Sequence, residues 1–134
     1  MAARLALGVV VVAVVVWLGL GLRAARLEAE GAELTGRSPA TLSPARLAEA
    51  RDAYRRAREF NADSGPELRE AGLANFGGRP REALELLRDI VRREPENFDA
   101  WLVMASVAGD SDPELAARAR GRARELNPLQ FRPG

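Results

Sequence analysis

Histidine, cysteine and lysine are all absent from this 134-residue sequence, and each absence closes off a class of chemistry. Without cysteine there are no disulfides, no thiolate metal sites and no thiol nucleophile, and the redox compartment leaves no trace. Histidine is the commonest general base and the commonest metal ligand, so its absence argues against acid–base catalysis and metal binding. All 20 basic side chains are arginine, set against 19 carboxylates, so no strong field favours nucleic acid. From Leu27 onward 17 arginines face those 19 carboxylates, which weakens that reading further. Isoleucine occurs once, at Ile90, and aromatics make up only 5%. The Ala, Gly, Val and Arg load has the look of a GC-rich bacterial coding bias.

What is present first is an apolar run. Residues 5–22 contain no charge and no strongly polar group, and Arg4 and Arg23 bound them. As a helix this stretch spans about 27 Å, close to a hydrocarbon core. Its valines are poor helix formers in water, but in lipid the backbone must satisfy itself internally. Twelve Val and Leu side chains favour insertion by roughly 5 kcal/mol before positional weighting. Trp17 sits near the Arg23 end, where interfacial aromatics are common. A cleaved signal peptide is the rival. It fits poorly, because the run exceeds the usual apolar core of such peptides and no clean small-x-small cleavage site follows. The segment is therefore expected to be a single-pass transmembrane helix in the cytoplasmic membrane, with the lipid bilayer as one partner. Arginines after the span lean toward a cytoplasmic C-terminus. A positive N-terminal region before a long apolar run leans the other way. By analogy with exported, tethered bacterial domains, the expectation is an extracytoplasmic C-terminal domain.

Residues 23–42 read as a helical overhang followed by a linker with Gly31, Gly36, Ser38, Pro39 and Thr41. Beyond it the chain repeats at a spacing of 33 residues. Pro80, Ala83 and Pro95 recur as Pro113, Ala116 and Pro128. Leu68 and Gly72 recur as Trp101 and Ala105. One step back, Ala83, Leu87 and Ile90 map to Ala50, Tyr54 and Ala57, a copy with a second helix but no room for a first. Ser43-Pro44, Ser64-Gly65-Pro66-Glu67 and Asp112-Pro113-Glu114 are helix starts, and Ser64 with Glu67 has capping-box spacing. Helices are expected at about 44–60, 65–76, 80–93, 97–108 and 113–126, and strands nowhere.

This pattern resembles the tetratricopeptide repeat, a helix–turn–helix unit of about 34 residues. Residues 97–128 carry the better copy, with Trp101, Met104, Ala105, Ala108, Ala116, Ala123 and Pro128. Residues 64–95 carry a looser one. The resemblance implies an all-α solenoid of about five helices, or two and a half repeats, over residues 43–128, with a tail at 129–134. Small residues at Ala50, Gly72, Ala83, Ala105 and Ala116 would let helices approach, while Tyr54, Leu68, Leu87 and Trp101 fill the gaps. Trp101 is expected to be the central core residue, and Arg120 to adapt the last repeat to solvent. In this family the first helix of each repeat lines a concave surface that receives a protein partner. Here that groove would carry Arg69, Leu73, Phe76, Asp99, Leu102 and Ser106.

Other readings of the polar residues are weaker. Arg118 and Arg122 share a helix face while Arg120 and Arg124 lie on another, so they form no nucleic-acid stripe. The Asp110-Ser111-Asp112 segment lacks the central glycine and distal glutamate of a calcium loop and suits a helix cap instead. Gly77-Gly78 has no preceding strand and no following Lys-Ser, so it is a turn rather than a phosphate loop. Glu82 and Glu85 sit among arginines on an amphipathic surface. No catalytic residue, cofactor, metal ligand or small-molecule substrate is indicated. The expected function is a membrane-tethered adaptor or assembly factor that binds a protein of an envelope or membrane complex. The alternative is a permanent structural subunit of such a complex.

Overall fold

The computed structural model describes residues 2–35, 42–61, 63–109 and 111–131; the side chains of 2–9, 11, 34 and 35 lie outside that description. The described chain is all helical: α1 (Ala2–Thr35), α2 (Pro44–Arg58), α3 (Gly65–Phe76), α4 (Pro80–Arg93), α5 (Phe98–Ala108) and α6 (Pro113–Leu126), then a 3₁₀ turn at Pro128–Phe131.

Local chemistry sets these boundaries. Proline opens α2, α4 and α6, where its missing N–H is no loss. The Asp112 carboxylate accepts from the Leu115 amide at 3.0 Å, and the Asn97 side chain accepts from the Ala100 amide at 3.0 Å. Gly78 and Gly109 end α3 and α5 with φ of 73° and 44°, conformations that L side chains avoid. The capping box expected at Ser64 and Glu67 does not form. Instead the Gly65 amide donates to Asp63 Oδ1 at 2.8 Å, which leaves both side chains free for tertiary contacts.

Each helix packs on the next along the chain, and α3 also touches α5. Because α3 and α5 each touch three other helices, they bury more than one stripe. One core lies among α3 to α6, where Leu87, Ile90 and Met104 are the large, fully buried side chains. A smaller one joins Leu47, Ala50 and Tyr54 of α2 to Leu73 of α3. The repeat positions Ala50, Ala83 and Ala116 are all buried, as are Ala57, Ile90 and Ala123.

Three expectations change. A helix does precede and pair with α2, where the sequence reading left no room for one: the C-terminal part of α1 packs antiparallel on α2. Arg23 lies 4.7 Å above the Phe60 ring, Asn61 donates to Glu28 at 2.8 Å, and Arg56 reaches Glu30 at 3.7 Å. Gly31 is thus a packing residue and not part of a linker; a Cβ there would lie 2.7 Å from Tyr54 Cζ. The repeat register misses this helix because it is drawn from upstream of a longer connection, residues 36–41 of which lie outside the described residues. Gly72, conversely, marks no close approach, since a Cβ there would meet nothing within 4 Å. Trp101 is not the centre of the core. It is half-buried at the edge, its indole N–H donating to the Pro95 carbonyl at 2.9 Å, because Met104 and Ile90 already fill the interior.

Among the described residues no helix is long and apolar enough to cross a membrane. The span expected at 5–22 falls partly outside them, at the side chains of residues 5–9 and 11. What is described of it is one-sided in chemistry and not in direction: every residue from Val12 to Leu22 is exposed.

Candidate partner-binding surfaces

Five of the six side chains expected to line a groove are exposed: Arg69 and Phe76 on α3, and Asp99, Leu102 and Ser106 on α5. Phe76 and Leu102 keep 54% and 38% of their surface in solvent, which makes them the apolar features of this face. Leu73 does not belong to it. At 3% exposure it points into the α2 cluster against Tyr54, and the groove assignment is corrected at that position. The reason is geometric: α3 must cover α2 as well as α4, so the face assigned to solvent is partly taken by α2. Arg69 is also held, its guanidinium 5.7 Å from the Tyr54 ring centroid.

Of the residues expected in the repeat core, Ala50, Tyr54, Ala83, Leu87, Ala105 and Ala116 are buried, whereas Leu68, Gly72 and Trp101 are half-buried. Arg120 is exposed, as expected of a terminal helix.

Two polar clusters escape the sequence reading. Glu67 and Glu70 of α3 are 5% and 4% exposed. Arg58 of α2 lies 3.6 Å from both, and Arg93 of α4 also pairs with Glu67. Arg51 of α2 reaches across to Glu82 of α4. Burial holds the Glu70 carboxyl above its ordinary value, opposed by the charges of Arg58, Arg51 and Arg55, and its Oε2 has no hydrogen-bond partner among the described residues. The available signal was complementarity: arginines at 51, 55 and 58 on one helix, carboxylates at 67 and 70 on the next.

The second cluster ties neighbouring repeats. Ser64 Oγ donates to Glu94 Oε2 at 2.7 Å, and Asn97 Nδ2 donates at 2.8 Å to both Ser64 Oγ and Glu94 Oε2. The Ser64 and Asn97 bonds hold the Glu94 carboxyl below its ordinary value. Ser64 and Asn97 occupy the same register position in consecutive repeats, so this knot is a contact between repeat starts. Glu82 pairs with Arg51 and Arg79, and Asp112 caps α6; both carboxylates are thereby committed to structure. Asp110 lies outside the described residues.

No protein-family model, curated protein or solved structure matches this chain.

Proposed function

We propose that this protein is a membrane-tethered interaction module, a tetratricopeptide-like helical array held at a bilayer by residues 5–22, acting as an adaptor or assembly factor for a membrane or envelope protein complex. The observation that carries the reading is the divided character of α1. Its distal part is docked on α2, with Gly31 against Tyr54 and Ala24 buried, while the preceding Val12–Leu22 stretch is apolar and exposed all round, Trp17 at 73%. A helix apolar on every side finds no stable place in water, and lipid supplies the missing solvent. Continuity of α1 would set the array directly at the membrane surface, with no flexible spacer.

The repeat reading is supported by the shared burial of Ala50, Ala83 and Ala116 and by the Ser64–Asn97 bond across one period. The face of Arg69, Phe76, Asp99, Leu102 and Ser106 is the binding surface the resemblance implies. A short array offers a short groove, but confinement to the same bilayer raises effective concentration, so modest contacts suffice.

Carbonate extraction of cell membranes tests the anchor. The full chain stays with the membrane if the reading holds; recovery in the soluble fraction with a trimmed N-terminus makes the segment a signal peptide. A cysteine at the exposed Glu96, probed with a membrane-impermeant thiol reagent, tests the extracytoplasmic placement of the domain: labelling in intact cells supports it, and labelling only after lysis reverses it.

A further inference from the structure

The packed helices carry a second surface, distinct from the exposed α3 and α5 residues proposed above as a groove. Between α4 and α6, above α5, lies an open pocket of about 530 Å³. Its floor is apolar: Val91 from α4, Trp101 and Met104 from α5, and Leu115 from α6. Four arginines surround that floor, Arg88 and Arg92 on one wall and Arg118 and Arg122 on the other, and among the described residues no carboxylate lines it. Trp101 and Met104 lie on the side of α5 opposite Asp99, Leu102 and Ser106, so the two surfaces are distinct.

The arginines are loosely committed. Arg92 pairs with Asp89 at 2.8 Å and Arg122 with Glu125 at 2.9 Å, each within its own helix, and Arg118 pairs with Glu114 one turn away. Those partner carboxylates are 56%, 68% and 84% exposed and stand outside the pocket. Exposed pairs of this kind hold weakly and exchange readily for a better-placed anion. Arg88 has no ion pair among the described residues. Trp101, half-buried although the largest side chain of the repeat, leaves part of its ring facing this space.

We propose that this pocket binds an acidic segment of a partner protein, one bulky apolar side chain seated on Trp101, Met104 and Leu115 with carboxylates to either side paired to the arginines. Charge complementarity selects the occupant. An uncharged apolar segment would leave four guanidinium groups facing it, and a purely acidic one would leave the floor bare. Two opposed cationic walls suit carboxylates spaced along a peptide on both sides of an anchor, and the planar guanidinium matches a carboxylate with two parallel hydrogen bonds. An apolar centre with a polar rim is the arrangement of a protein hot spot. The proposal rests on the binding role proposed above, and on neither the anchor nor the groove.

The test uses the full chain in lipid nanodiscs, with Trp17→Phe so that Trp101 is the only indole. A random-sequence peptide library displayed on phage is selected against it. Enriched peptides are expected to share a Leu, Phe or Trp flanked by Asp or Glu, to shift Trp101 emission, and to bind more weakly as salt rises. Arg88→Gln combined with Arg118→Gln should weaken them at least tenfold with the melting curve unchanged, while Leu102→Arg leaves them unaffected. Enrichment of peptides without acidic residues, equal binding to the double variant, or no enrichment at all overturns the proposal. A Trp101 shift produced by phosphatidylglycerol in the nanodisc, with no peptide competing, assigns the pocket to lipid headgroups instead. Loss of binding in Leu102→Arg alone moves the partner to the groove, which separates failure of this inference from failure of the binding role.

Discussion

Gly31 and Gly72 both lie inside helices, and their surroundings give them opposite consequences. At Gly31 the ring of Tyr54, itself 2% exposed, occupies the place of a side chain. Gly31→Val should therefore push α1 off α2 and lower stability by about 1–3 kcal/mol, the usual penalty of overpacking. At Gly72 there is open space, so Gly72→Ala should raise stability by about 0.5–1 kcal/mol by reducing the entropy of the unfolded chain and favouring the helix. Paired denaturant melts of the two variants check both signs. Sequence alone put Gly31 in a linker and Gly72 in a tight helix contact, because a glycine carries no sign of what stands opposite it. Glu70 was equally illegible. Its carboxyl is harder to ionise in the folded chain than in the unfolded one, so the stability it contributes is present below the ordinary value of 4.5 and is lost as pH rises through the higher folded value. Glu70→Gln keeps the shape and removes the buried charge. Its melting temperature should exceed that of the parent at pH 7, and the difference should vanish as pH falls below the ordinary carboxylate value. A parent that stays less stable at low pH would place the cause in packing. Glu94 acts in the other sense: its lowered value supports folding above the ordinary range and fails as pH falls through the folded value.

Among the elements, α4 was the easiest to read and α3 the hardest. Ala83, Leu84, Leu87 and Ile90 form a single apolar stripe on α4, with arginines and carboxylates elsewhere, and all four are buried. α3 has no such contrast. It is covered by α2 on one side and α4 on the other, so Glu67, Glu70 and Leu73 are all buried while Phe76 stays exposed. Helix boundaries were legible because proline, serine, asparagine and aspartate sit at the starts. Helix phase was not, because an alanine-rich helix between two neighbours needs no bulky stripe. The distinction has a direct consequence. Leu73→Arg places a charge in the α2–α3 cluster and should cost several kcal/mol, about 3 or more, enough to lose cooperative melting. Leu102→Arg, on an open face, should change stability by less than about 0.5 kcal/mol. Trp101→Ala falls between: a half-buried ring removes less than the ~3–5 kcal/mol of a fully buried aromatic, so about 2 kcal/mol is expected, below the loss from Leu87→Ala. Urea melts of the four variants order them, and a Trp101 loss exceeding that of Leu87 would return Trp101 to the centre of the core.

At the scale of the molecule the issue is where the proposed tether ends and the packed helices begin. The composition of residues 23–42 suggested a spacer, and a spacer would let the packed helices swing free of the proposed anchor. Instead α1 runs unbroken from Ala2 to Thr35, and its C-terminal part is docked on α2. Glu30 and Gly31 meet Arg56 and Tyr54 of α2, Arg23 and Glu28 meet Phe60 and Asn61 just past its end, and Ala24 is buried. Truncation can locate the junction. Removing residues 1–22 deletes only exposed apolar side chains among those described, so the remaining chain should keep its stability and become freely soluble. Removing residues 1–35 uncovers Tyr54 and the α2 alanines, and should cost about 2–4 kcal/mol for the apolar area returned to water. That is a large part of the 5–15 kcal/mol that holds a typical domain together. The measurement is a pair of urea melts followed by circular dichroism. Equal midpoints would mean that α1 beyond Arg23 is a passive stalk, and the array would then begin at Pro44. A midpoint lowered only in the longer deletion would make the exposed apolar stretch at residues 12–22 and the docked part of α1 one continuous rod, so that, with the anchor proposed above, tilting in the bilayer would turn the proposed binding face with it.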